Sequence, residues 1–151
     1  MKKLLFIAIL GVFGALAASA QEDNKMKVKD KDVPEAVKTA FQSQFANASD
    51  VEWKVKNGKY KAKFDMNGVE HMAELNSSGE VVSKAMKIPN DELPTLVSDA
   101  VKSSYANATI DDVYRVEKGG QTQYLVKLDG SPDKKLLYDA QGKLVKDKSG
   151  K

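Results

Sequence analysis

From residue 33 onward the hydrophobic positions first recur at helical spacing and then switch to strict alternation. Val33, Val37, Ala40, Phe41 and Phe45 fall on one face of a helix. Asp32 precedes it with Glu35 three residues on, a capping-box pattern that tolerates Pro34 in the first turn. Val51, Trp53 and Val55 then alternate with Glu52, Lys54 and Lys56, and Tyr60, Ala62 and Phe64 alternate with Lys59, Lys61 and Lys63. Asn57-Gly58 between the two runs is a type I′ hairpin signal, and a two-residue loop fixes the register. Val55 is expected opposite Tyr60, Trp53 opposite Ala62 and Val51 opposite Phe64, with every apolar residue on one face of the sheet. A second such turn, Asn67-Gly68, places Phe64 opposite His71, Ala62 opposite Ala73 and Tyr60 opposite Leu75. The loop Asn76 to Gly79 leads to a fourth strand around Val81 and Val82.

The whole pattern then recurs. Lys25 to Ser49 aligns with Ala85 to Thr109 at a shift of 60, with Met26, Lys27, Pro34, Val37, Ala40, Ser43, Ala46, Asn47 and Ala48 each meeting an identical residue. Nine identities in 25 positions far exceed the roughly one or two that average composition would give. The second helix carries Leu93, Val97, Ala100, Val101 and Tyr105 behind Asp91 and Pro94. Past residue 50 the shift is read as drifting, so that Trp53-Lys54-Val55 meets Tyr114-Arg115-Val116 and Gly79 meets Gly142. On that alignment Tyr114, Val116, Tyr124, Val126, Leu128, Leu136 and Tyr138 fill the apolar face of the second unit. Gly119-Gly120, Asp129-Gly130 and Gln141-Gly142 mark its turns. Residues 25–84 and 85–148 are the two repeats, and a charged segment, 21–32, overlaps the start of the first. The expected fold class is α+β: two tandem helix-plus-antiparallel-meander repeats forming one long sheet, helices on one face and the other face open.

Residues 1–20 read differently from the rest. Lys2 and Lys3 precede a nearly unbroken apolar run, Leu4 to Ala17, and Ala18-Ser19-Ala20 supplies small residues where a signal peptidase cuts. The segment is expected to be a signal peptide cleaved near Ala20, leaving a mature protein in the periplasm or secreted, with no membrane anchor. The chain has no cysteine and one histidine among 151 residues, which removes thiol nucleophiles, Cys-ligated metals and any arrangement needing two histidines. Losing residues 1–20 takes two of the 24 Lys and Arg and none of the 21 Asp and Glu. The near-neutral remainder lacks the basic excess that nucleic acid would require.

Function is therefore sought on the open sheet face. In the first repeat the register sets Lys54 against Lys61 and Lys56 against Lys59, with Glu52 against Lys63 as the only relief. In the second, Val113, Leu125 and Leu137 are outward beside Arg115, Lys127 and Lys135, an apolar patch with a charged rim. Val113, Arg115, Leu125, Leu137, Lys54 and Lys61 are the candidate partner-binding residues. His71 shares its strand face with Val69, Ala73 and Leu75 and is expected to pack rather than to ligate. Paired carboxylates at Asp50 with Glu52 and at Asp111 with Asp112 are the candidate calcium ligands. Neither EF-hand spacing nor a nucleophile motif is present, so no cofactor is required and no catalytic residue is assigned.

The run V-P-E-A-V-K-T-A-F-Q-S-Q-F-A-N-A-S followed by D-V-E-W-K-V-K-N-G-K-Y-K-A-K-F resembles the PepSY-like family of Bacteroidetes periplasmic proteins, related in fold to the beta-lactamase inhibitor protein. The resemblance covers nearly all of residues 25–148 and rests on the helix-end aromatic, the A-x-A-[ST] segment and the V-x-W strand. It implies tandem helix-plus-sheet units, no enzymatic activity, and a role in binding or inhibiting a periplasmic or extracellular protein or peptide. For some relatives it also implies calcium responsiveness, which makes a calcium- or small-ligand-responsive sensor the alternative. No residue motif carries over a particular inhibited enzyme, and the second repeat departs most, with Val113-Tyr114 against Glu52-Trp53.

Overall fold

The computed structural model describes residues 26–149, so the proposed signal peptide and residues 21–25 lie outside the described residues. Nine strands form a single antiparallel sheet in chain order: β1 (Met26–Val28), β2 (Ser49–Lys56), β3 (Lys59–Met66), β4 (Val69–Leu75), β5 (Val81–Ile88), β6 (Thr109–Lys118), β7 (Gln121–Asp129), β8 (Lys134–Asp139) and β9 (Leu144–Asp147). Helix α1 (Glu35–Gln44) connects β1 to β2 and helix α2 (Thr95–Ser104) connects β5 to β6. β5 is thus both the last strand of the first repeat and the first strand of the second, which makes the sheet continuous. β1, three residues paired with β2, was hidden in the charged segment because so short a run shows no alternation.

The hairpin registers are those the turns dictate. Val55 pairs with Tyr60 and Trp53 with Ala62, then Phe64 with His71, Ala62 with Ala73 and Tyr60 with Leu75. Asn57 and Asn67 adopt positive φ ahead of Gly58 and Gly68, as type I′ geometry requires. The Val51–Phe64 pairing is replaced by a bulge between Ser49 and Glu52, with Asp50 at φ 52°. The helix start also differs from expectation. Asp30–Asp32 and Asn90–Glu92 close 3-10 turns, and Pro34 and Pro94 hold the N-cap positions with no side-chain cap. An extended proline fits there because the amide it lacks would have no partner inside the helix.

Each helix buries its apolar stripe on its own half of the sheet. Val33, Val37, Phe41 and Phe45 pack with Trp53, Ala62, Phe64, Ala73 and Leu75. Leu93, Val97 and Val101 pack with Ile88, Val113, Val126, Leu128, Leu136 and Tyr138. In the first core Phe64 meets Phe41 edge-on, ring centres 4.9 Å apart, and Phe45 at the same separation.

Candidate functional site

Side chains alternate across each strand, so the residues between the core positions share the helix-free face. In the second repeat that face carries the row Tyr114, Leu125, Leu137, paired across β6, β7 and β8. The neighbouring row sets Met72 beside Ala85 and Ala85 beside Val116. Although no helix covers this side, Tyr114 is 1% and Leu137 6% exposed, and Leu125, Val116 and Met72 are half-buried. Side chains this buried on a side that no helix covers require the twisted sheet to curl over them. The Lys148 ammonium, just past β9, is pushed down by burial and by the like charges of Lys61, Lys146 and Lys118, although β3 and β9 in a flat sheet would stand about 29 Å apart. Lys54 and Lys61 pair on one wall of the resulting trough, and Lys146, opposite Leu137, stands on the other.

At the seam between the repeats the trough floor holds a closed polar network. The Tyr114 hydroxyl donates to Glu70 Oε1 at 2.7 Å, and Lys127 Nζ donates to the Tyr114 oxygen at 3.1 Å and to Asp112 Oδ2 at 3.0 Å. Lys87 pairs with the other Asp112 oxygen, and Lys63 reaches Glu70 at 2.9 Å. Lys127 also lies 4.7 Å from the Tyr114 ring centre. Lys87 most strongly, with Lys127 adding to it, holds the Asp112 carboxyl below its ordinary range. Burial pushes Glu70 up, but Tyr114 and Lys63 together outweigh it and leave the carboxyl low. Burial and Glu70 raise Tyr114, so its hydroxyl keeps its proton. The like-charge lysines of the first repeat find relief in Glu74 as well, which takes Lys59 at 3.3 Å and Lys61 at 3.0 Å. Lys63 makes its ion pair with Glu70 on β4 rather than with the Glu52 expected opposite it.

Two consequences are measurable. Tyr114→Phe should lower stability by about 1.5–2 kcal/mol in urea unfolding, because it deletes a hydrogen bond to a charged acceptor at a nearly buried site. Glu74 behaves as Glu70 does: burial pushes it up, while Lys61 and Lys59 outweigh that and leave it low. Folded-state values of Glu70, Glu74 and Asp112 below the unfolded ones mean that their contribution is complete above the unfolded carboxylate range and is lost as pH falls through the folded values. Thermal melts should therefore hold steady down to about pH 5 and decline below about pH 4.

Four of the expected partner-binding residues, Leu125, Leu137, Lys54 and Lys61, are on the open face. Val113 and Arg115 are not. Val28 pairs with Trp53 and Ile88 with Val113, so the repeat shift is still 60 at residue 53 and Val113, not Tyr114, is the counterpart of Trp53. Matching bulges, at Ser49/Glu52 and at Ile110/Asp112, keep the two repeats in step. A one-residue slip exchanges the faces: Val113 is fully buried under α2, Arg115 sits on the helix side beside Met86, and Tyr114 and Val116 belong to the trough. Keeping the shift of 60 through residue 53 would have found both trough residues.

The four candidate calcium ligands do not converge. Asp50 and Glu52 are exposed on β2, and Asp111 and Asp112 are on β6, with three strands and about 19 Å between in a flat sheet. Lysine ammonium groups occupy both oxygens of Asp112. Among the described residues no three His, Cys, Asp or Glu side chains gather. His71 lies on the helix side, its ring stacked 5.6 Å from that of Phe64 and its pKa lowered by burial against the opposing pull of Asp65.

The family model described as "Putative beta-lactamase-inhibitor-like, PepSY-like" matches the chain over residues 20–76 and 58–146, each match containing one helix. Among solved structures, the chain is similar to a DUF2874 family protein from Bacteroides ovatus, at 30% identity and a TM-score of 0.63, over 77% of this chain and 86% of that one. A BLIP-like protein from Bacteroides fragilis aligns at 24% identity and a TM-score of 0.59, over 77% of this chain and 86% of that one. A protein from Bacteroides eggerthii described as a "putative periplasmic" protein aligns at 20% identity and a TM-score of 0.67, over 78% and 88%. The last two likenesses show the fold alone. No curated protein matches the sequence.

Proposed function

The chain belongs to the PepSY-like, beta-lactamase-inhibitor-like family, and from that premise we propose that it is a non-catalytic periplasmic protein that binds a protein or peptide partner in the trough of its open face. The observation that carries this reading is the half-buried set Leu125, Val116 and Met72, which with the buried Tyr114 and Leu137 beside Leu125 forms a continuous apolar floor between lysines on a side no helix covers. An aromatic and aliphatic centre within a charged rim is the composition of a partner surface. The titratable groups there suit binding better than proton transfer. Glu70 and Asp112 are committed to lysines, Tyr114 keeps its proton, and the one histidine is on the opposite side. Location rests on the N-terminal basic-apolar-small pattern and on the description of the Bacteroides eggerthii relative.

The test is in-cell cross-linking from the native envelope, with Leu125→Asp as the comparison. Leu125 is half-buried on the trough floor and outside both cores, so this variant should melt within a few degrees of the parent while losing the partner. A partner that stays bound to a folded Leu125→Asp variant, or the absence of any captured partner, would overturn the reading.

A further inference from the structure

The helix side of the sheet has its own opening. Each helix covers only its own half, the two cores share no residue, and the sheet is about 38 Å wide over its eight strand spacings, so a strip at the seam lies between the helices. There a groove of about 280 Å³ is lined by Phe45, Met66, His71, Met86 and Arg115, with Lys84 and Glu117 at its rim. One sheet row sets its floor: His71 pairs with Met86 and Met86 with Arg115, so the backbone positions of the histidine and the arginine flank a methionine about 10 Å apart.

Arg115 is the only arginine in a sequence that otherwise uses lysine for all its fixed positive charge. Among the described residues its guanidinium makes no ion pair and no hydrogen bond, and the neighbouring carboxylate, Glu117, is held by Lys84 at 3.0 Å. A surface whose only task is solubility has no use for this exchange. A planar guanidinium differs from an ammonium in offering two parallel donors that match a carboxylate. Most of the remaining lining is apolar and adaptable, with Met66 and Met86 beside Phe45, and Gln44 and His71 are its polar members. The volume corresponds to about nine waters.

We propose that this groove binds a small monocarboxylate with an apolar tail, its carboxylate on the Arg115 fork and its tail laid over Met86 and Met66 toward Phe45. The excess positive charge of the lining fits one negative head group, because Lys84 and Glu117 cancel each other. The floor would hold an alkyl or aryl tail, with the neutral Gln44 beside Phe45. The groove and the trough are on opposite faces, so this inference stands or falls separately from the partner reading.

His71 is the only histidine, so its imidazole C–H signals in the proton NMR spectrum report the groove without assignment. Octanoate and 3-phenylpropionate, titrated into the mature protein, should shift those signals saturably with dissociation constants of about 0.1–1 mM, the range for a single fork and so few apolar atoms. Octan-1-ol, with the tail and no charge, should bind at least about tenfold more weakly. Arg115→Ala, at an exposed side chain and with an unchanged melt, should weaken octanoate about tenfold, and Arg115→Lys should recover only part of the loss. No saturable shift up to about 5 mM of either carboxylate, or equal affinity in parent and Arg115→Ala, would overturn the assignment.

Discussion

Gly142→Ala is expected to lower stability by about 3 kcal/mol or more, a fall of about 10 °C or more in melting temperature for a domain of this size. Gly142 adopts φ 82°, and an added Cβ would collide with the Leu96 carbonyl oxygen and stand 2.8 Å from its carbon. Neither contact can relax. Leu96 is backbone in the first turn of α2, and the loop beneath it is pinned by Asp139, whose Oδ1 accepts from the amides of Gln141 at 3.0 Å and Lys143 at 2.9 Å. The first repeat uses the same device. Asn76 Oδ1 accepts from the amides of Ser78 and Glu80, and a Cβ on Gly79 would meet the Ala36 oxygen at 2.6 Å. Gly120→Ala is the control, because Gly120 also has positive φ, 74°, but nothing within 4 Å. It should cost only the conformational part, about 1–2 kcal/mol. Equal losses at positions 142 and 120 in chemical unfolding would show that the loop does not press on the helix.

This pair of glycines marks how far the sequence could be read. Their equivalence was visible as a repeat match, and so were the helix stripes and both hairpin registers of the first unit, because Asn-Gly turns leave only one pairing that puts the apolar residues on one face. The helix caps were not visible, since Asp32 and Asp91 were drawn into 3-10 turns whose hydrogen bonds compete with capping. Nor was β9, four exposed residues whose strand character comes from pairing with β8. The trough was legible only in part. Leu125 and Leu137 stood out as apolar residues in outward positions, but Tyr114 looks like core by residue type. What sets it on the other face is a bulge two residues earlier, and what makes that tolerable is a hydroxyl partner, Glu70, 44 positions away in the other repeat. Patterns of period 2 carry no information about a bulge that resets them, and a long-range hydrogen bond leaves no local trace.

Val113→Asp tests that face assignment most severely. With Val113 fully buried against α2 and the Val126 and Leu136 rows, the variant loses the burial of a valine and places a carboxyl group among apolar neighbours with no donor in reach. The two terms together are about 5 kcal/mol, which is comparable to the whole stability of a domain of this size. The variant should be largely unfolded at neutral pH by circular dichroism. Because burial raises the carboxyl's folded-state pKa above its unfolded value, the native fraction should increase as pH falls and the group is neutralised, opposite to the acid loss expected of the parent. Had the shift between repeats drifted by one residue, the introduced carboxylate would sit beside Lys127 in the trough and be harmless, while Leu125→Asp would be the damaging change. A folded Val113→Asp protein at neutral pH would therefore reverse the two faces of the second repeat, and with them the identity of the binding surface.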